Sequence, residues 1–278
     1  GGHPICTPLQ VPPLFPLSWI TAMATVAKAD QDIVVSLEDG VLSIVLNDEA
    51  SRNVLSVHLM EAMMSALREA AENPAVRVVL VSNTGKIFCA GADLKAAPSE
   101  SSAQLFSDLL LAIQASTKPT IARISGHAMG GGVGLAAAFD ISIASDDCKM
   151  GFTEVRIGVV PAVISAICLP KMRKGDALEA FLRGNRFGAA KAAELGLITR
   201  AVPSDQLDAE IAAIISDIRL GGPQALAIVK QIVAMVPGLA TTDAIARLAK
   251  LSAEVFASPE ARIGTEAFKE RRTPPWAS

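Results

Sequence analysis

Residues 120–124, Thr-Ile-Ala-Arg-Ile, form an apolar run that feeds a glycine cluster at Gly126, Gly130, Gly131, Gly132 and Gly134. The run reads as a strand, and the alanine-rich stretch that follows the cluster reads as a helix. A strand-to-helix junction leaves free backbone N–H groups at the helix start, where the helix dipole favours negative charge. Glycine has no Cβ, so a ligand or a second backbone can come close. The chemistry offered is that of an anion or oxyanion site. A phosphate loop would need a lysine after GxxxxG, and none follows. A dinucleotide fingerprint would need GxGxxG, and the third glycine is missing from either Gly130 or Gly132. Taken alone, the cluster also fits a packing junction where only glycine has room.

A second small-residue loop changes the balance. Phe88-Cys89-Ala90-Gly91-Ala92-Asp93-Leu94-Lys95 also follows a buried strand and a turn. Two such loops can each aim one N–H at a single oxygen, which is the geometry of an oxyanion hole.

The elements that must position these loops follow from local pattern. Residues 33–37 and 41–46 alternate apolar and polar around Asp39-Gly40, a hairpin signal. Ser56 can cap a helix to about Glu72, with Leu59, Met63 and Leu67 on one face. Residues 76–81 read as a buried strand ending in a turn over 82–86. Residues 104–115 read as a helix, 120–124 as a strand and 140–144 as another. From about Ala162 the pattern is helical, with helices over 174–183, 189–195, 205–220, 223–235 and 241–257. Gly and Pro punctuate them. The order predicts an α/β body followed by a helical region.

Composition bounds the rest. The chain has 278 residues, of which 51% are hydrophobic and 19% charged, enough for one large core or a domain with an appendage. A net charge of −3 gives no basic footprint and argues against a nucleic-acid binder. Four scattered cysteines and three histidines give no zinc spacing, and reduced thiols in a cytoplasmic protein are expected. No apolar run reaches the length of a membrane span, so no membrane partner is expected. Residues 1–22 are apolar and proline-rich without the basic start of a secretory signal, which predicts an extension ahead of the domain, with Met23 as a plausible start. The expected divisions are 1–30 as extension, 31–215 as core and 216–278 as helical C-terminal region.

The ordered motifs resemble the crotonase, or enoyl-CoA hydratase/isomerase, superfamily. They are Arg52-Asn53-Val54-Leu55-Ser56, residues 88–95, residues 126–134, Asp140-Ile141, the stretch Phe152-Thr153-Glu154-Val155-Arg156-Ile157-Gly158 with Pro161, residues 187–193 and Gly196-Leu197-Ile198. The resemblance runs from about Asp32 to Trp276 in order, without large gaps. It implies a spiral of ββα units, a helical C-terminal region that forms homotrimers or dimers of trimers, and an acyl-CoA thioester as substrate. Coenzyme A is then part of the substrate, and no separate cofactor or metal is expected.

By position, the resemblance makes the backbone N–H groups of Ala92 and Gly131 the thioester-oxygen donors and Glu154 the acid/base. Ala90, Asp93, Leu94, Lys95, Gly130, Gly134 and Phe268 become substrate-binding candidates. Hydratases of the family commonly use two glutamates, and Gly134 stands where the first would be. A lone glutamate among Phe152, Val155 and Ile157 should have a raised pKa, which suits proton transfer near neutral pH. His127 is expected to be packed or hydrogen-bonded, Asp93 to shape its loop, and Cys89 not to be a nucleophile. Lys95, Lys269, Arg271 and Arg272 are equally consistent with CoA phosphates and with solvated faces.

Three functions follow. The first is hydration of a 2-enoyl-CoA by Glu154, with a second ordered water near Gly134. Val133-Gly134-Leu135 and residues 158–165 resemble a bacterial branch that includes methylglutaconyl-CoA-type hydratases. The second is Δ3-to-Δ2 enoyl-CoA isomerisation by Glu154 alone. The third is an acyl-CoA-binding or RNA-associated scaffold without catalysis, disfavoured by the acidic balance and by the presence of Glu154.

Overall fold

The computed structural model describes residues 32–97 and 99–277. The expected extension over 1–30 lies wholly outside these residues. Strands β1 (Ile33–Glu38) and β2 (Val41–Leu46) form the hairpin, turning at Asp39 and Gly40 with φ of 47° and 77°. Both central residues of a type I′ turn need positive φ, which is why Asp-Gly stands there. Helix α1 (Val57–Glu72) starts where Ser56 accepts the N–H of Leu59 at 3.1 Å, and it buries Leu59, Met63 and Leu67 as their spacing requires.

A three-part unit then recurs. Strand β3 (Val78–Asn83) is followed by short β4 (Ile87–Cys89) and helix α2 (Glu100–Ala115). Strand β5 (Thr120–Ile124) is followed by β6 (His127–Met129) and α3 (Gly131–Ala138). Strand β7 (Ile141–Ser145) is followed by β8 (Lys149–Gly151) and, after a 3-10 turn, α4 (Ala162–Cys168). The first strand of each unit joins one six-stranded sheet and the second joins a four-stranded sheet. This is the ββα spiral that the resemblance implied, although the sequence shows no matching repeat. The large sheet has the order β1-β2-β3-β5-β7-β10, and the small one β4-β6-β8-β9.

The remainder is less purely helical than its pattern suggested. Between α5 (Lys174–Arg183) and α6 (Ala189–Glu194), β9 (Phe187–Gly188) pairs antiparallel with β8; β10 (Arg200–Val202) then pairs parallel with β7. These strands are too short to show a period of two. Helix α7 (Leu207–Arg219) covers one face of the large sheet through Leu207, Ile211 and Ile215, packed against Val41, Val78, Leu80, Ile121 and Ile143. The larger core on the opposite face takes its residues from α1, α2, α3 and α4.

Three helices close the chain: α8 (Pro223–Met235), α9 (Thr241–Phe256) and α10 (Pro259–Lys269). They bury little, with Ala244 and Ala267 as their only buried residues, and leave Val229, Val233, Ile245 and Phe256 exposed. Asp140 ties α8 to the sheet. Its Oδ2 accepts the N–H and hydroxyl of Thr120 at 2.8 and 2.9 Å and pairs with Lys230 Nζ at 2.7 Å. At the start of α8, the carboxylate of Glu260 from α10 accepts the N–H groups of Gln224 and Ala225 at 3.0 and 2.9 Å.

Candidate active site

The two glycine loops meet. After β4 the chain is pinned by hydrogen bonds from Ala90 N–H to Arg52 O at 3.1 Å and from Leu55 N–H to Gly91 O at 2.8 Å, and Ala92 pairs with Leu55. The loop that carries Arg52 and Leu55 is itself fixed by Asn53. That residue is fully buried, its Nδ2 donates to Ile87 O at 2.8 Å and its Oδ1 accepts from Asp48 N–H at 2.9 Å. Arg52 and Asn53 both have positive φ, 63° and 50°. Such backbone is uncommon outside glycine, and asparagine is among the few residues enriched there.

Gly91, at φ 91°, leaves no room for a side chain: a Cβ there would lie 2.7 Å from Met129 O and 3.2 Å from Gly131 N. The segment that leads into Ala92 therefore sits directly against the first residue of α3. Leu55 and Phe106 also cover Gly131, with Leu55 Cδ1 2.8 Å from a Cβ built there. Gly130, at φ 52°, turns the chain into α3 while its N–H donates to Gly151 O at 2.9 Å. Its own carbonyl accepts from Val133 and Gly134 at 2.9 and 3.4 Å. The N–H groups of Gly131 and Gly132 therefore belong to the first turn, where helix geometry gives them no partner, and no side chain caps them.

Glu154 comes to this place from β8. Phe152 is buried and packs at a tilt against Phe181 and Phe187, with ring centroids 4.4 and 6.2 Å away. This gives the following 3-10 turn, Glu154–Ile157, a rigid base; Gly158 closes the turn in the left-handed region. Glu154 Oε1 lies 3.1 Å from where a Cβ on Gly130 would be. Its Oε2 is buried and has no hydrogen-bond partner among the described residues. Burial raises the pKa of this carboxyl, opposed in part by a bond from its own backbone N–H. Dry surroundings disfavour the charged form, so the proton is held more tightly than by an ordinary glutamate. The carboxylate starts a 3-10 turn rather than ending a strand, and of its expected apolar neighbours Phe152 is buried while Ile157 is exposed.

Gly134 packs directly against α4. A Cβ there would fall 2.5 Å from Ile164 Cβ, and nearer still to its Cγ2. Gly134 is buried, and the isoleucine from α4 fills the space in front of it. Ile164 thus occupies the place that a side chain at position 134 would take, and Gly134 lets α3 and α4 pack closely.

The other candidates sort by their contacts. Asp93 Oδ1 accepts Lys95 N–H at 2.9 Å and shapes its loop. Leu94 is 74% exposed, and Lys95 is exposed beside it. His127 Nδ1 accepts Lys149 N–H at 3.1 Å, a link between β6 and β8. Cys89 is buried, and that burial pushes its thiol up to about 12, which removes it as a nucleophile. Phe268 lies on α10, 84% exposed, and takes no part in the contacts just described. The structure thus brings together Ala90, Gly91, Ala92, Gly130, Gly131 and Glu154. Sequence reasoning gave no role to Asn53, Phe106 or Ile164. The asparagine itself, a residue type enriched at positive φ, was the available signal for the first; no local pattern announces the others.

A family model described as enoyl-CoA hydratase/isomerase matches residues 36–278. The chain is 30% identical over 262 residues to an enoyl-CoA hydratase of Mycobacterium tuberculosis, covering 91% of this chain and 98% of that protein. It is 28% identical over 248 residues to the 2,3-dehydroadipyl-CoA hydratase of Escherichia coli, covering 87% and 97%. The crystal structure of an enoyl-CoA hydratase from Mycobacterium smegmatis superposes with a TM-score of 0.83 at 30% identity, covering 89% of this chain and 99% of that one.

Proposed function

The chain belongs to the enoyl-CoA hydratase/isomerase family, and from that premise we propose that it hydrates a 2-enoyl-CoA thioester with Glu154 as the proton carrier. The observation that carries the reading is the half-buried Glu154 carboxylate, with its buried Oε2 unpartnered among the described residues, lying against Gly130 where the chain enters α3. Water oxygen bonds to the β carbon while Glu154 takes one of the water's protons. The π pair moves toward the thioester, whose oxygen becomes enolate-like between the N–H groups of Ala92 and Gly131. Glu154-H then protonates the α carbon, so water has been added across the double bond. Each oxyanion donor is expected to contribute about 2.7–4 kcal/mol to barrier lowering. The dipole of α3 acts at Gly131 in the same sense. The exposed apolar residues of α8 and α9 suit the homotrimer expected of the chain.

A second reading is Δ3-to-Δ2 isomerisation, in which Glu154 removes a proton from the α carbon and returns it to the γ carbon. It is favoured by one observation: Ile164 closes the α3 face at Gly134, leaving Glu154 as the sole carboxylate identified there. Purified protein given crotonyl-CoA and a 3-enoyl-CoA separates the two. Loss of the 2-enoyl absorbance marks hydration, and its appearance from the 3-enoyl substrate marks isomerisation. Glu154→Gln should abolish either. Full activity in that variant refutes the assignment of Glu154. Binding of CoA thioesters without any turnover would favour the scaffold reading.

A further inference from the structure

On the reading of Gly131 as an oxyanion donor, we propose that Lys230 of α8 is a positioning residue for the thioester site. Through Asp140 it holds α3 where Gly131 can aim its N–H at the substrate oxygen. The helix that carries this donor is poorly able to place itself. Helix α3 has eight residues, among them Gly131, Gly132 and Gly134, and no side chain caps its start. Isolated helices this short do not hold together in water, and glycine weakens them further. The place of α3 is therefore set by its packing and by what ties its ends. Its first turn must stay open to substrate, so the tie falls at the other end.

Asp140 stands two residues after α3. Its Oδ2 accepts the N–H and the hydroxyl of Thr120 at 2.8 and 2.9 Å, and the Thr120 hydroxyl oxygen accepts Asp140 N–H at 3.1 Å. Thr120 opens β5 and is fully buried. These three hydrogen bonds clasp the two ends of residues 120–140, the segment that runs through β5, β6 and the whole glycine cluster to the end of α3. Lys230 closes the clasp from α8. Its Nζ pairs with Asp140 Oδ2 at 2.7 Å and donates to Lys118 O at 3.0 Å, with the side chain only 13% exposed. One ammonium thus touches the chain just before β5 and just after α3. Without it, the partly buried carboxylate is left uncompensated and is drawn toward water. The oxygen that would turn away is the one that holds Thr120. A rise of 1.5 Å per residue puts Gly131 about 12 Å from the far end of α3. A hydrogen-bonded helix shifts as a unit, so slack at Asp140 becomes displacement at Gly131.

Lys230→Met keeps a long side chain and removes the ammonium. Turnover of crotonyl-CoA and of a 3-enoyl-CoA is measured per folded molecule. Beside it stands the absorbance of bound cinnamoyl-CoA, whose band moves to longer wavelength as N–H groups polarise its carbonyl. A displacement of a few tenths of an ångström, against the 1 Å worth about 100-fold, should lower kcat by about tenfold. KM should be nearly kept, because the donor bonds strengthen in the transition state. The band should lose part of its shift, and Lys230→Arg should restore both readouts. Glu260→Ala is the control: it loosens the start of α8 without touching the clasp, and should leave kcat and band alone. If Lys230→Met does not fold, Lys230→Gln carries the comparison, since it keeps a donor and drops the charge. A folded Lys230 variant with wild-type kcat and band overturns the inference, and so does an equal loss in Glu260→Ala. If wild type turns over neither thioester and shifts no band, the donor reading falls. Amide exchange over residues 126–138 then still decides whether the clasp holds α3: it should be faster by about tenfold in Lys230→Met but not in Glu260→Ala, and unchanged exchange overturns the clasp.

Discussion

Gly132→Ala is expected to damage catalysis more than stability. Gly132 sits in the first turn of α3, and a Cβ there would lie 2.9 Å from both the carbonyl carbon and the Cβ of Cys89, and nearer still to its carbonyl oxygen. Carbon atoms settle at about 3.5–4.0 Å, so the two elements must separate by about 0.6–1 Å. The obstacle is largely backbone, and no rotamer change relieves it. Overpacking of this kind costs about 1–3 kcal/mol, while alanine in a helix recovers about 1 kcal/mol over glycine. The net stability loss should therefore be at most about 2 kcal/mol, read by urea unfolding. Cys89 ends β4, which carries the loop through Gly91 to Ala92, and Gly131 immediately precedes the substituted residue. The same separation moves the two proposed donors apart. A misplacement near 1 Å is worth about 100-fold, so kcat/KM for the thioester should fall by about that factor. Activity within twofold of wild type, in a protein that unfolds at the wild-type urea concentration, would refute the pairing of these loops.

Glu154→Gln should lower kcat by about 100- to 10,000-fold with a thermal midpoint at neutral pH no lower than that of the wild type. Burial raises the carboxyl in the folded chain, so its contribution to stability is present at low pH and lost as pH rises through the folded value; Glu154→Gln should remove that slope from unfolding curves. The ionised form is the base, so the acid limb of kcat/KM should lie above the ordinary carboxylate range. Gly134→Ala and Ile164→Ala should each destabilise, the latter by about 2–5 kcal/mol. Their combination should fall short of the sum by about 0.5–3 kcal/mol in a double-mutant cycle, because each removes the other's obstacle; strict additivity would contradict the contact. Glu260→Ala should cost about 1 kcal/mol in thermal unfolding by uncapping α8, with turnover per folded molecule unchanged.

Much of this architecture is legible in residue order. Asp39-Gly40 marks the hairpin because the turn demands two positive φ values. Ser56 marks the start of α1 because its side chain meets the N–H of Leu59. The polar Ser99-Glu100-Ser101-Ser102 reads as loop, yet Ser99 caps α2 there, accepting the N–H of Ser102 at 3.1 Å, so the helix begins four residues before its apolar pattern does. Strands β4, β6 and β8 are three residues each, too short for alternation to declare them. At the site, the glycine loops announce close backbone approach, since only glycine permits it. Ile164 gives no such signal. It belongs to an ordinary apolar run, and its importance comes from facing Gly134 across thirty residues of chain, a relation made by packing alone.

The proposed donors at Ala92 and Gly131 are main-chain atoms, and that shapes what mutation can do to them. A side-chain donor vanishes with one codon change; a peptide N–H survives every replacement except proline. Scanning with alanine would leave Ala92 untouched and would register Gly131→Ala as a clash with Leu55, not as a lost donor. The centre of the site is thus invisible to the commonest mutational survey. Only exchanging an amide for an ester, or proline at position 92, would delete a donor outright. Drift in such a protein can rewrite the acid/base residue and the walls around it while the oxygen-binding frame persists.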